Sequence, residues 1–379
     1  MNELTPSHPL VDGRTTAAPL VRAAQGVRGS TTPVWFMRQA GRSLPEYRAL
    51  RSGRDMIECC LEPELAAEIT CQPVRRHGVD AAVFFSDIIV PMSLAGVPVE
   101  LVPGRGPVFA EPARTSADIA KLRREHPVER LRENLGPIVE AVRLTTAELG
   151  TTPLIGFAGA PFTLAAYLVE GGPSRDHLRA RALMHQDPAA WAALTEWAAD
   201  LSGVFLEAQV RAGASAVQLF DSWAGTLSVS DYLTHVAPAS QRTLAAVNEL
   251  HYRDDTREGY AAGPLPVPTI HFAVGSGHLL EALADVAGHA IGVDWRTPLD
   301  EANARLGGRF PLQGNLDPAY LQAPQHVLDA QIDDVLARGA AAPAHIFNLG
   351  HGVPPETDPG RLTGIVERVH GERVHGVHR

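Results

Sequence analysis

One pattern recurs seven times along the 379-residue chain. A short run rich in Val, Ile, Leu or Phe ends abruptly in glycine or a polar residue, and a helical stretch usually follows. The runs occupy residues 80–85, 154–157, 216–220, 267–270, 291–293, 310–312 and 345–347. Continuously apolar strands that alternate with amphipathic helices are typical of a parallel sheet with helices packed on its faces. The pattern therefore predicts an α/β fold.

The helical stretches between the runs are amphipathic. Residues 189–212 place Trp191, Leu194, Trp197 and Leu201 at intervals of three and four, and residues 127–149 show the same spacing. Polar residues follow nearly every apolar run, and in a (β/α)8 barrel the loops after the strands share the face that holds the active site. We therefore predict a (β/α)8 TIM barrel with its active site at the carboxyl ends of the strands. A doubly wound sheet is the alternative.

The predicted barrel forms one domain without an internal boundary, over residues 29–369. Its eighth strand is either residues 34–37 or too short to identify, and residues 97–107 resemble a hairpin inserted after the first strand. Residues 1–28 mix Ser, Thr, Pro and Arg with short apolar pieces and lack the pattern of a signal peptide. We predict that they form a flexible N-terminal tail and that the His-rich residues 370–379 form a flexible C-terminal tail.

Charge and cysteine content exclude several classes of partner. A net charge of −10 and a pI near 5.9 argue against nucleic acid, whose binding proteins usually carry basic patches. No apolar run approaches the roughly 18 residues of a membrane span. The three cysteines, Cys59, Cys60 and Cys71, are too few for a disulfide framework and lack zinc-site spacing. We expect a cytoplasmic protein with reduced thiols and no metal.

The apolar residues 34–37 lead directly into a short segment that carries two arginines, Arg38 and Arg42, around Gln39, Ala40 and Gly41. An arginine side chain offers five donors in a rigid fork that matches carboxylate and phosphate groups. A glycine lets backbone N–H groups approach the same anion closely. This segment, the Arg loop (residues 38–42), is predicted to bind a ligand with several carboxylates or phosphates. The alternative is an exposed loop with two solvated arginines.

If the barrel prediction is right, several polar residues lie near one barrel mouth. They are Asp87, Tyr167, Asp221, Ser222, His271, Asp294, Asn348 and His351. Each also has a structural explanation. An aspartate after a strand is often a helix N-cap, which we favour for Asp294, and His271 fits a structural role. His351 lies between two glycines that let the backbone approach a ligand, which favours a functional role.

The usual catalytic motifs are absent. The sequence has no G-x-S-x-G elbow, no P-loop, no dinucleotide-binding glycine fingerprint and no set of four metal ligands. Arginines, a carboxylate, a tyrosine, a serine and a histidine remain. This set suits a cofactor-free reaction of a small polyanionic substrate that supplies its own electron sink.

The chain resembles the uroporphyrinogen decarboxylase family from about residue 32 to about residue 369. The resemblance lies in PVWFMRQAGRSLPEYR, FFSDI, GFAGAPFTLAAYLVEGG, QLFDSWAG and FNLGHGV, which occur in the family's order. One departure is Phe84, where many relatives carry an aliphatic residue, and we expect it to affect only local packing.

The resemblance implies a distorted barrel, usually a homodimer, that removes carbon dioxide from the four acetate side chains of uroporphyrinogen III without metal or organic cofactor. It also implies which residues contact the substrate: Arg38, Gln39, Ala40, Gly41, Arg42, Asp87, Tyr167, Ser222 and His351.

The physical chemistry of the reaction suggests roles for three of these residues. Arg38 and Arg42 would hold acetate or propionate groups of the substrate, which carries eight carboxylates. Protonation of the pyrrole carbon that bears the acetate would make a cationic ring that accepts the departing electrons. An ionised Asp87 would bind the pyrrole N–H groups and stabilise that cation in the transition state. The sequence does not identify the proton donor.

Two other functions fit part of the pattern. A zinc-dependent methyltransferase of the related barrel group, acting on corrinoids or thiols, would need a His and Cys zinc site at the barrel mouth, whereas the cysteines here fall in an early helix. A non-catalytic porphyrin or polyanion carrier would share the Arg loop but would not need Asp87.

Overall fold

The computed structural model describes residues 3–102, 104–254, 263–286 and 288–371. Within these ranges the strands are β1 (Ala82–Val83), β2 (Val99–Val102), β3 (Gly106–Phe109), β4 (Leu154–Gly159), β5 (Ala216–Asp221), β6 (His251–Tyr252), β7 (Leu265–Pro266), β8 (Thr269–Ala273), β9 (Ala290–Gly292), β10 (Leu312–Leu316) and β11 (His345–Leu349).

The helices in the same ranges are α1 (Pro19–Ala24), α2 (Pro45–Arg51), α3 (Met56–Leu61), α4 (Pro63–His77), α5 (Val90–Leu94), α6 (Ser116–Glu125), α7 (Val128–Glu133), α8 (Gly136–Leu149), α9 (Pro161–Glu170), α10 (Leu178–Gln186), α11 (Pro188–Ala212), α12 (Val229–His235), α13 (Ala237–Asn248), α14 (Leu280–Ala284), α15 (Leu299–Arg305), α16 (Gln325–Gly339) and α17 (Pro359–Val369). Short 3-10 helices cover Ala224–Thr226, Gly277–Leu279 and Pro318–Gln322.

Seven strands form one parallel sheet in the order β1-β4-β5-β8-β9-β10-β11. The residues around Val34 join its two edges: Phe347 N donates to Pro33 O (2.8 Å), and Asp80 N donates to Val34 O (2.9 Å). The sheet therefore curls into a ring in which one short bridging segment takes the place of an eighth strand. This arrangement confirms the predicted α/β barrel and explains why the eighth strand is hard to recognise in the sequence.

The seven predicted strands each overlap a strand of this sheet, and β2 and β3 pair antiparallel as the predicted hairpin. One predicted helix differs. Residues 127–149 form two helices, α7 and α8. The helix is interrupted at Asn134 and Leu135, just before Gly136 and Pro137. Proline favours the first turn of a helix and is unfavourable in its interior, so it begins α8 rather than continuing α7.

The barrel interior contains a chain of buried polar side chains as well as apolar ones. Trp35 Nε1 donates to Gln313 Oε1 (3.0 Å), and Gln313 Nε2 donates to Gln218 Oε1 (2.8 Å). These hydrogen bonds link the bridging segment around Val34 to β10, and β10 to β5, across the ring. A buried polar group without a hydrogen-bond partner costs about 1–3 kcal/mol of stability. These bonds avoid that cost for the groups that they join.

Residues 3–28 are packed against the barrel, in contrast to the predicted flexible tail. Leu10 and Leu20 are fully buried, and His8 Nε2 lies 2.8 Å from Val210 O near the end of α11. Thr15 Oγ1 lies 2.8 Å from Ser215 Oγ, just before β5, so this segment covers the amino-terminal end of the barrel. The sequence does not reveal this packing because each apolar piece is short and its binding surface is built from distant residues.

At the other terminus, α17 ends at Val369, and His370 Nε2 lies 2.8 Å from Asp80 Oδ2. The rest of the predicted C-terminal tail, residues 372–379, lies outside the described residues. None of the helices in the described ranges is long and apolar enough to cross a membrane.

Candidate active site

A cleft of about 230 Å³ opens at the carboxyl ends of the barrel strands. Loops after β1, β5, β8 and β11 contribute to its wall together with the Arg loop. Six of the nine predicted contact residues line it: Arg38, Ala40, Arg42, Asp87, Ser222 and His351. The structure therefore brings together side chains that are more than 300 positions apart in the sequence.

The Arg loop has an unusual backbone. Arg38, Gly41 and Arg42 have φ angles of 64°, 96° and 53°, which lie in the left-handed region. For the two arginines this conformation costs of order 1–3 kcal/mol each and persists only where surrounding contacts enforce it. At Gly41 a Cβ would lie 3.2 Å from Cζ of Tyr47, so this glycine also lets the loop pass close over the Tyr47 ring.

Two buried amide side chains hold the Arg loop in place. Gln39 Oε1 accepts from Phe36 N (2.9 Å), and its Nε2 donates to Ala81 O (2.8 Å), just before β1. Asn348 Oδ1 accepts from Met37 N (3.0 Å) at the end of β11. Gln39 thus lies beneath the cleft, where it fixes the backbone that carries the arginines.

The arginines themselves remain available to a ligand. Within the described ranges, neither guanidinium group forms an ion pair with a carboxylate of the protein, whereas Arg242, Arg305 and Arg368 each do so. Because the whole protein carries a net charge of −10, the cleft is a local cationic site in an acidic molecule. Such a site can attract an anionic substrate through its own field.

The glycines on either side of His351 have a structural reason that differs from the predicted one. A Cβ on Gly350 would lie 2.3 Å from Trp295 N, and a Cβ on Gly352 would lie 2.6 Å from Cδ of Arg38. The first glycine lets two backbone segments pass each other, and the second leaves room for the Arg38 side chain. Thus these two glycines permit close approach to other groups of the protein, whereas the prediction was close approach to a ligand.

Asp87 lies at the cleft wall after β1, with Oδ1 accepting a hydrogen bond from Ile89 N (3.1 Å). Burial raises the pKa of its carboxyl group above the ordinary value, whereas that hydrogen bond and the positive charge of Arg38 oppose the rise. The hydrogen bond and the charge of Arg38 therefore favour the ionised carboxylate, against the effect of burial.

Tyr167 on α9 does not line the cleft, but it lies near enough to Asp87 for the charge of the carboxylate to act on its hydroxyl group. Burial, followed by the negative charge of Asp87, raises the pKa of its hydroxyl group to about 12. Its ring stacks on Trp223 at a centroid distance of 4.0 Å, and Trp223 in turn stacks on His177 at 4.2 Å. Tyr167 is thus a neutral hydroxyl group held by an aromatic stack.

His351 lines the cleft together with Arg38 and Arg42. Its Nδ1 accepts a hydrogen bond from Gly352 N (2.7 Å), so the neutral ring carries its proton on Nε2. Burial and, secondarily, the charge of Arg38 lower the pKa of the imidazole. A neutral histidine with an Nε2–H donor can bind a carboxylate without adding a second full positive charge.

Aromatic residues form a part of the cleft that the sequence analysis missed. Phe157, Phe220 and Phe272 line it from three neighbouring strands, with centroid distances of 5.6 Å and 6.0 Å along the row. Phe84, expected to affect only local packing, lines the cleft as well. In the sequence these residues are indistinguishable from core residues, and only their positions near strand ends hint at another role.

Asp221 and Asp294 were candidates for the barrel mouth or for helix caps. Neither residue lines the cleft, and each has a structural role. Asp294 accepts hydrogen bonds from Arg296 N (3.0 Å) and Gly275 N and pairs with the Arg296 guanidinium, joining the loops after β8 and β9. It is not the cap of α15, which begins after Pro298. Asp221 is fully buried and accepts from Thr163 Oγ1 (2.9 Å) on α9. His271 is fully buried, as its predicted structural role requires.

We predict that Asp221 makes stability depend on pH. Burial raises the pKa of its carboxyl group from 3.8 to about 7. Between these values the native state keeps a proton that the unfolded chain releases, so native stability falls as pH rises. Asp221→Asn mimics the protonated carboxyl group and should escape this loss. From pH 5.5 to 7.5, the free energy of unfolding of the variant minus that of the wild type should rise by about 2 kcal/mol.

Urea unfolding at both pH values measures this difference. Asp285→Asn, a change at an exposed aspartate after α14, is the matched control and should leave the difference between variant and wild type independent of pH. An Asp221→Asn difference that is equal at both pH values would contradict the prediction.

No zinc-binding set of His and Cys lines the cleft among the described residues. Cys59 and Cys60 lie buried in α3, and Cys71 lies buried in α4. Burial raises the pKa of each of the three thiols, which disfavours the thiolate form that binds metals. The part of the chain that the structure describes therefore does not assemble, at this barrel mouth, the donor set expected of a zinc-dependent methyltransferase.

Comparisons with known proteins place the chain in one family. The family model described as "Uroporphyrinogen decarboxylase (URO-D)" matches residues 15–372. A protein from Leifsonia xyli named uroporphyrinogen decarboxylase is 62% identical over 372 residues, covering 98% of this chain and 99% of that protein. One of the same name from an Arthrobacter strain is 58% identical over 360 residues, covering 95% of this chain and 99% of that protein.

A solved structure shares the fold at low sequence identity. A methyltransferase from Methanosarcina mazei superposes with a TM-score of 0.71 at 16% identity, covering 94% of this chain and 98% of that one. That likeness concerns the barrel alone. The family match over most of the chain, together with two relatives above 50% identity, shows that the chain belongs to the uroporphyrinogen decarboxylase family.

Proposed function

We propose that the protein is a decarboxylase that converts the four acetate side chains of uroporphyrinogen III to methyl groups, giving coproporphyrinogen III and four CO2 in porphyrin (haem) biosynthesis. The single observation that carries the proposal is a carboxylate, Asp87, in the same cleft wall as two arginines without protein ion-pair partners in the described ranges. A substrate with eight carboxylates on a ring of pyrrole N–H groups is complementary to this arrangement. The family relationship supports the same activity.

The arginines would bind and orient the substrate. Arg38 and Arg42 present guanidinium groups to acetate or propionate carboxylates, each charged hydrogen bond contributing roughly 1.5–3 kcal/mol. The Nε2–H of His351 and the hydroxyl group of Ser222 can donate to other carboxylates. The row formed by Phe157, Phe220 and Phe272 would contact the apolar faces of the pyrrole rings.

The reaction needs an electron sink, which the pyrrole ring supplies once it is protonated. The proton must add to the ring carbon next to the acetate-bearing carbon, rather than to that carbon itself, because only then is the acetate methylene conjugated with the C=N⁺ bond. The bond between methylene and carboxylate carbons then breaks, CO2 leaves, and the electron pair neutralises the ring nitrogen. Addition of a proton to the exocyclic methylene and loss of the ring proton restore the pyrrole, so each cycle consumes one proton.

Asp87 would stabilise this cationic ring. A carboxylate about 4 Å from a unit positive charge contributes on the order of 4 kcal/mol at an effective dielectric constant near 20. The neutral substrate ring does not benefit to the same extent, so the interaction lowers the barrier rather than only tightening binding. We assign the chemistry to Asp87, Arg38 and Arg42. Tyr167, on which the Asp87 charge acts, would help to position Asp87.

The experiment that tests the function is an anaerobic incubation of the purified protein with uroporphyrinogen III and a metal chelator, followed by oxidation and chromatography of the porphyrins. Coproporphyrin accompanied by hepta-, hexa- and pentacarboxylate intermediates is the expected result. Unchanged uroporphyrin with demonstrable binding would instead indicate a carrier. Activity that is lost to the chelator and restored by zinc would contradict the cofactor-free mechanism.

We also propose that the enzyme acts as a homodimer in the cytoplasm, with residues 29–369 as its catalytic barrel. The resemblance to a family whose members are usually homodimers supports the dimer, and the family model, which matches residues 15–372, covers the whole proposed barrel. Light scattering coupled to size-exclusion chromatography tests the dimer, for which a mass near twice 40.5 kDa is expected. A monomeric mass at the enzyme concentration of the assay would contradict it.

A further prediction concerns Gly352, whose missing Cβ leaves room for Arg38. In Gly352→Ala the Arg38 side chain must move, and loss of one charged hydrogen bond to the substrate should lower kcat/KM roughly 10- to 100-fold. Gly364→Ala is the matched control because a Cβ at that helix position meets nothing within 4 Å. Steady-state kinetics of both variants provide the measurement, and equal kcat/KM values for the two would contradict the prediction.

A further inference from the structure

Three potential metal ligands meet outside the cleft, between two surface helices. His185 lies in the last turn of α10, and Asp231 and His235 lie one turn apart on α12. One ligand atom from each residue lies within 4.8 Å of the other two. Among the residues that the structure describes, this is the one group of three or more His, Cys, Asp or Glu side chains that meets this distance criterion.

The geometry is close to that of a transition-metal site. His185 Nε2 lies 3.4 Å from Asp231 Oδ1. With metal–ligand distances of about 2.0–2.2 Å, two ligand atoms in a tetrahedral zinc site are roughly 3.4 Å apart. The His185 and His235 rings lie 5.4 Å apart at an interplanar angle of 85°, which leaves space between them. The His185 side chain is 56% exposed and is free to adjust its position by rotation.

The donor set defines the class of metal. Two imidazoles and one carboxylate suit Zn²⁺ and neighbouring divalent transition metals, whereas Mg²⁺ and Ca²⁺ prefer sites made of oxygen ligands. The spacing of Asp231 and His235 at i and i+4 places both side chains on one face of α12, towards His185. A simple ion pair between His185 and Asp231 would not require His235 at the same point.

We propose that His185, Asp231 and His235 form a binding site for a divalent transition metal such as Zn²⁺, completed by water. None of the three residues lines the catalytic cleft, so the site is structural or regulatory rather than part of the decarboxylation. The proposal stands independently of the proposed activity.

The position of the site indicates what a bound metal would do. It would cross-link α10 to α12, whose preceding segments carry His177 and Trp223. Those two side chains stack on each other, and Trp223 stacks on Tyr167 beside the cleft. A metal bound to the native protein would therefore stabilise the aromatic stack of His177 and Trp223 that holds Tyr167.

Calorimetric titration of the full-length, chelator-treated protein with ZnCl2 tests the proposal, and the absorption of bound Co²⁺ reports the coordination geometry. We expect one ion per chain at this site and a higher Tm with Zn²⁺, because the metal binds the native state. His235→Ala and Asp231→Asn should each weaken this binding at least 10-fold, and His185→Ala together with His235→Ala should abolish it and the Tm increase.

Two controls separate this site from other histidines. His326→Ala removes an exposed histidine elsewhere on the surface, and His375→Ala with His378→Ala removes histidines near the C-terminus. Both variants should keep the site and the Tm increase. Binding weaker than about 1 mM in the wild type, binding unchanged in the His185 and His235 double variant, or binding lost with the C-terminal histidines would each overturn the proposal.

Discussion

Asp87→Asn is expected to lower kcat/KM for uroporphyrinogen III by roughly 1,000-fold while the protein remains folded. The estimate follows from about 4 kcal/mol of attraction between the carboxylate and the cationic pyrrole ring, at 1.36 kcal/mol per tenfold change in rate. Asparagine has nearly the same shape and can still accept the hydrogen bond from Ile89 N. The variant thus removes the negative charge and little else.

Decarboxylation of uroporphyrinogen III under anaerobic conditions measures the effect, and thermal unfolding checks the fold. Asp87→Glu keeps the charge on a longer side chain and should recover part of the lost rate. If Asp87→Asn retained kcat/KM within about threefold of the wild type, the carboxylate would not stabilise the transition state as proposed.

Arg38→Gln is expected to lower kcat/KM at least 100-fold and to move the acid limb of its pH profile. The first effect follows from the loss of charged hydrogen bonds to a substrate carboxylate, each worth roughly 1.5–3 kcal/mol. The second follows because the Arg38 charge lowers the pKa of Asp87, which burial raises. Without that charge, Asp87 takes up its proton at a higher pH, so activity is lost earlier as the pH falls.

The pH profile distinguishes this dual role from simple substrate binding. Arg38→Lys keeps the positive charge but loses the bidentate fork, so it should raise KM without moving the acid limb. Arg124→Gln, at an arginine on α6 with 69% side-chain exposure, is the control and should match the wild type. An acid limb at the same pH in Arg38→Gln and the wild type would show that Arg38 does not influence Asp87.

Local features of the sequence accounted for much of the fold. The apolar runs gave the seven strands of the sheet because a strand buried on both faces must be continuously apolar. The eighth position stayed open between residues 34–37 and a strand too short to identify, because only Val34 forms a bridge there. The packing of residues 3–28 was likewise not predicted, and the segment was expected to be a flexible tail. The surface that buries Leu10 and Leu20 is assembled from residues far away in the chain.

For the candidate site too, some features were visible in the sequence and others depended on tertiary packing. From the sequence by itself, the Arg loop, Asp87, Ser222 and His351 were predicted to lie near one barrel mouth, because charged and polar residues that interrupt apolar runs at strand ends carry a local signal; the structure brings them to one cleft. Only the tertiary structure decided that Gln39 supports the loop from below, that Gly352 makes room for Arg38, and that phenylalanines of three strands line the cleft. It also brought His185 to His235 across 50 positions of sequence. Such contacts depend on how distant segments pack, and periodicity within a short window holds no information about that packing.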